Sequence, residues 1–95
     1  MDRVVSAAAT RLESLETALH LLGGLRARVT HGSGVVSVEV DENGGMTGLW
    51  ISESLDRVDA TDLGRAVTET AASAADVVST QRDRILASLH DVFTY

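Results

Sequence analysis

The 95-residue chain has no cysteine, so disulfides and thiolate metal sites are excluded and the redox compartment is left open. Lysine is missing as well: all 8 basic side chains are Arg. Aromatics are reduced to one Phe, one Tyr and one Trp, so Ala, Val and Leu must fill the core, and each buries less area than an aromatic would. One domain, residues 1–95, is expected, near the lower end of what sustains a core alone. Such a domain should be modestly stable as a monomer and should oligomerise. No apolar run approaches the ~20 residues of a membrane span, and MDRVVSAAATRLESLE lacks the basic-then-apolar order of a signal peptide. A cytoplasmic protein without a membrane partner is expected.

What is present is acidic. The formal net charge is −6, a handicap for any polyanion binder, because nucleic-acid affinity rests largely on neutralising phosphates. Arg without Lys, beside much Ala, Val, Gly and Asp, points to a GC-rich coding sequence and fits an actinobacterial origin. Apolar content with mixed charge argues for a folded domain.

Two hydrophobic periods divide the chain. Val5, Ala8, Leu12, Leu15, Leu19 and Leu22 form a heptad seam that predicts a helix over 2–24, stopped by Gly23-Gly24. From Leu25 the period becomes 2, and three strands are expected over 25–31, 35–41 and 46–52. The turns hold Gly32-Ser33 and Asn43-Gly44, both suited to two-residue hairpins. Such turns pair Ala27 with Val38, Val38 with Leu49, Val40 with Thr47 and Val36 with Ile51. They set the apolar residues on one face and Trp50, Met46, Arg26 and Arg28 on the other. Ser52 to Arg57 reads as a helical turn or loop. Asp59 is an expected N-cap for a helix over 60–90, whose buried stripe runs Leu63, Val67, Ala71, Ala74, Val78, Ile85 and Leu89. That helix is longer than a small sheet can cover, so its far half should pack on the first helix or on another chain. The fold class is α+β: α-β-β-β-α, a three-stranded antiparallel meander flanked by two long helices.

Chemistry-bearing residues are scattered. His20, His31 and His90 sit in unrelated contexts without metal-ligand spacing, so no metal site and no cofactor are expected. The acidic residues Asp56, Asp59, Asp62 and Glu69 surround a helix start, where capping and the helix dipole account for them. Gly32-Ser33-Gly34 joins strand to strand, so it is no phosphate loop. No catalytic residue emerges, and an enzyme is not expected. Two pairs of cations, Arg26 with Arg28 and Arg82 with Arg84, are candidate phosphate contacts. Met46 and Trp50, with Leu12, Leu15 and Leu19 of the seam, are candidate dimer contacts, since Trp and Met are enriched in interface cores.

The run VTHGSGVVSVEVDENGGMTGLWISESL, within this element order, resembles the YbaB/EbfC family of small bacterial nucleoid-associated proteins. The resemblance rests on Gly34, the alternating Val36-Ser37-Val38-Glu39-Val40, Asn43-Gly44, Leu49-Trp50-Ile51, Glu53-Ser54-Leu55 and the long helix that follows. It implies a homodimer that binds DNA with little sequence preference, without enzymatic activity, and is nucleoid-associated in the cytoplasm. MTGLWIS is also similar to the corresponding strand of an actinobacterial, EspL-like branch associated with type VII secretion. That likeness implies the alternative: an adaptor for a secretion-system or regulatory protein, with DNA binding lost.

Overall fold

The computed structural model describes residues 2–53 and 58–94. The expected turn or loop from Ser52 to Arg57 falls largely outside them. The order is α1 (Asp2–Gly23), β1 (Ala27–Thr30), β2 (Val36–Val40), β3 (Met46–Ile51) and α2 (Ala60–Phe93). The α-β-β-β-α expectation holds, with antiparallel strands in the order β1-β2-β3.

The core forms where β2 meets α2. Val36, Val38 and Val40 alternate inward and are fully buried, and each such side chain contributes roughly 1.5–3 kcal/mol of burial. Against them α2 presents Ala66, Thr70, Ala74 and Val78, spaced four apart along one face. This stripe is rotated from the expected one: Leu63, Val67 and Ala71 flank it and are only half-buried. The small residues let the helix axis approach the sheet closely. Thr70 adds no unsatisfied polar group, because its hydroxyl donates to the Ala66 carbonyl (2.6 Å). Asp59 caps α2 as expected, its carboxylate accepting from the Thr61 N–H (3.1 Å).

Both hairpins depart from two-residue turns. In the first, the His31 N–H donates to the Val36 carbonyl (2.8 Å), closing a loop over 32–35. Inside it the Gly34 N–H reaches the His31 carbonyl, and Gly34 takes φ +76°. The positive φ therefore falls on Gly34 rather than Gly32. Ala27 pairs with Val40 and Val29 with Val38, two residues away from the expected register. A shift of two preserves which face each side chain occupies.

In the second hairpin Asp41 and Gly45 close a loop in which Gly44 takes φ +79°, a type I turn followed by a left-handed residue. Val38–Leu49 and Val36–Ile51 pair as expected, but a bulge at Glu39/Val40 pairs Val40 with Met46 instead of Thr47. Met46 is thereby moved off the face of Trp50 and onto that of the core valines, a correction to the sequence reading.

The paired turns would make Leu49 and Ile51 core residues, and this too is corrected. They lie on the core side of the sheet, yet both stay exposed, because α2 packs over β1 and β2 and not over β3. The far half of α2 instead carries α1, as expected of its overhang. Most of the helix seam does not pack there, Leu22 excepted. Ala18 is buried with Ser14 and Leu22 partly covered, while Val5, Leu12, Leu15 and Leu19 remain exposed. The chain is 70 Å long, with a radius of gyration of 19.3 Å, against about 12 Å for a compact chain of this length.

Because the left-handed conformation sits at Gly34 and nothing crowds either glycine, Gly34→Ala should lower unfolding stability by about 1–2 kcal/mol. Gly32→Ala should stay within ~0.5 kcal/mol of wild type. Urea denaturation of the two variants checks this; equal effects would contradict the turn assignment.

Candidate functional site

The outer sheet face and the tip of the second hairpin hold the densest polar chemistry. On the outer face, Arg28 of β1 reaches across β2 and stacks on Trp50 of β3, its Cζ 3.8 Å from the ring centroid. The stack needs Gly48. The indole lies back over its own strand, and a Cβ at position 48 would come within 2.5 Å of Trp50 Cη2. Trp50 thus faces away from the core, as the alternation predicts. Between Arg28 and Trp50 run Glu39, which accepts from the Thr47 hydroxyl (2.9 Å), and Ser37, bonded to Thr30 (2.7 Å).

At the hairpin tip Glu42 gathers two cations. Its carboxylate pairs with Arg26 (2.6 Å), and its carbonyl accepts from Arg82 of α2. Asp41 organises the turn itself: Oδ1 accepts from the N–H groups of Asn43 and Gly45, each at 2.9 Å. Those two bonds, helped by the nearby Arg26 charge, lower the Asp41 pKa below its ordinary value of 3.8.

The structure therefore brings Arg82 to Arg26 at Glu42, although the sequence suggests two separate pairs, while Arg28 lies on the outer face against Trp50. Arg84 is elsewhere, on the wall of an open groove of about 490 Å³ between α1 and the far half of α2. Leu21, Ile85 and Leu89 line the groove, with Glu13 on the α1 side. Of the dimer candidates, Trp50 and Met46 are on opposite faces of β3, and Leu12, Leu15 and Leu19 are exposed on α1.

Sequence reasoning missed the role of His31. Its Nε2 meets Glu69 of α2 (2.9 Å) and its Nδ1 meets the Ser33 hydroxyl (2.8 Å). Ser, His and a carboxylate in a chain invite comparison with a hydrolytic triad. Here the Ser33 N–H also donates to Nδ1 (3.1 Å), so that lone pair is already engaged, and the neutral ring carries its proton on Nε2, facing Glu69. The Ser33 hydroxyl in turn accepts from the Val35 N–H (3.3 Å). The group fastens the first hairpin to α2. The only signal in the sequence was a His beside a Gly turn, and the 38-residue separation from Glu69 hid its partner. Among the described residues no cluster of His and carboxylates could hold a metal ion, and no helix is long and apolar enough to cross a membrane. No protein-family model matches the chain, and no curated protein is significantly similar to it in sequence.

Two outcomes test this geometry. Gly48→Ala should push the indole off β3 and break the Arg28 stack, shifting the emission of the single Trp while circular dichroism stays unchanged; an unaltered spectrum would contradict the close approach. The Asp41 pKa is depressed in the folded state, so its stabilisation is present above the unfolded value near 3.8 and is lost as pH falls through the lower folded value. Asp41→Asn should therefore show a shallower loss of urea midpoint than wild type from about pH 4 downward.

Proposed function

We propose that the protein is a YbaB/EbfC-like, nucleoid-associated homodimer that binds duplex DNA without sequence preference and catalyses nothing. Kinship is supported by the element order. Dimerisation is supported by surface: the protomer exposes 6707 Å², whereas a compact chain of 10.0 kDa exposes about 5,200 Å². The excess of roughly 1,500 Å² per chain is what a permanent dimer buries, and the exposed large apolar residues include Leu, Val, Met and Trp.

The observation that carries the DNA reading is the meeting of Arg26 and Arg82 at Glu42, with Arg28 two residues further along the chain from Arg26, a set that a two-fold axis doubles. Guanidinium groups bind phosphate in a forked geometry, and exposed pairing to Glu42 is weak enough to exchange. Glu39, Asp41 and Glu42 share the patch and limit its net charge, so affinity should be modest. Those same carboxylates, with the net charge of −6, favour a second reading, a protein-binding adaptor in type VII secretion or regulation.

DNA binding at two salt concentrations separates them. The DNA reading expects a duplex shift at about 50 mM salt that weakens by about a thousandfold near 200 mM if the doubled set is fully engaged. Arg26→Ala with Arg82→Ala should flatten that dependence. No shift at low salt and high protein concentration would leave the adaptor reading in place.

A further inference from the structure

We infer that β3 is the dimerisation strand: it pairs antiparallel with β3 of a second copy, about a two-fold axis at Trp50, and joins the two sheets into one. The inference rests on the homodimer reading and assigns its surface.

β1 and β3 are both edges of the sheet, and they differ in kind. β1 has four residues, is covered by α2, and carries Arg28 with Arg26 just before it. Charges on an edge deter further pairing. β3, Met46–Ile51, is longer and has no charged residue. Its exposure is also unusual. Leu49 and Ile51 on the inner face are 43% and 42% exposed, and Trp50 on the outer face is 42% exposed. A helix or loop laid on one side would cover one set and leave the other. Because α2 stops short of β3, both sets are open, and a lateral neighbour would flank both.

Backbone geometry agrees. The Ser52 N–H donates to the Val35 carbonyl (2.7 Å), so residues 48, 50 and 52 spend their N–H and C=O groups on β2. Those of Leu49 and Ile51 point outward, to an edge that no strand among the described residues occupies. An axis at Trp50 sets Leu49 opposite the partner's Ile51 and Ile51 opposite the partner's Leu49. Each outward N–H and C=O of those residues then finds a partner, and the large apolar side chains meet across the seam. An axis at Leu49 would instead set Ile51 against bulged Thr47 and leave Trp50 beside Gly48. One self-complementary patch suffices, as a two-fold interface requires.

A cysteine-free chain makes the test direct. Sedimentation should first give a dimer at micromolar concentration; a monomer would overturn both this inference and the homodimer reading. At Trp50 the two backbones would form a non-hydrogen-bonded pair with Cα atoms about 4.5 Å apart, within disulfide range. Trp50→Cys should therefore give a covalent dimer on mild oxidation, and Thr80→Cys, on an exposed position of α2, should not. Leu49→Lys should abolish the dimer with helical content unchanged. A dimer that survives Leu49→Lys, or a folded Trp50→Cys chain that fails to cross-link, overturns the β3 assignment and leaves the homodimer reading standing.

Discussion

An α-helix with its side chains is about 10 Å across and neighbouring strands lie about 4.8 Å apart, so a single helix covers two strands of a sheet and leaves a third. Here α2 settles over β1 and β2, where Ala66, Thr70 and Ala74 admit the valines of β2. Everything else in the molecule is arranged around that choice. β2 becomes fully buried on one face, β1 is covered, and β3 keeps Met46, Leu49 and Ile51 in contact with solvent. The helix then runs on past the sheet, and α1 packs on that extension with its leucine seam still open.

The polar groups follow the same frame. The bulge that ends the β2–β3 ladder leaves Thr47 facing Glu39, and the turn beyond it is fixed by the Asp41 carboxylate. That turn carries Glu42 to where Arg26 and Arg82 meet it, joining strand, hairpin and helix at one point. At the opposite end His31 and Glu69 tie the first hairpin to α2. Two small pairings thus hold the sheet ends against the helix, Arg82 with Glu42 at one end and His31 with Glu69 at the other.

Charge placement qualifies the functional reading in physical terms. Arg82 joins Arg26 at Glu42 where the sequence suggested two separate pairs, which concentrates positive charge, and carboxylates sit beside them. The patch is therefore a source of directional hydrogen bonds more than of long-range field. Ligands bearing phosphates could use it only at close range, where forked contacts outweigh screened attraction.

The sequence by itself determined the element order, the approximate positions of the turns and the face of each strand residue outside the bulge. Period-2 alternation admits only two choices of face, and the buried alternative is evident in Val36-Ser37-Val38-Glu39-Val40. It also placed the Asp59 cap and turned Trp50 outward. Alternation cannot count register, since a shift of two residues leaves every face unchanged, so the first hairpin slid from the expected pairing with no penalty visible in the pattern. Nor can alternation see a bulge, which moved Met46 to the other face. Only tertiary structure decided which strands α2 would cover, which face of α1 would pack, and that Arg82 would join Arg26 at Glu42. Each depends on distances between elements far apart in the chain, and on a helix being about two strands wide.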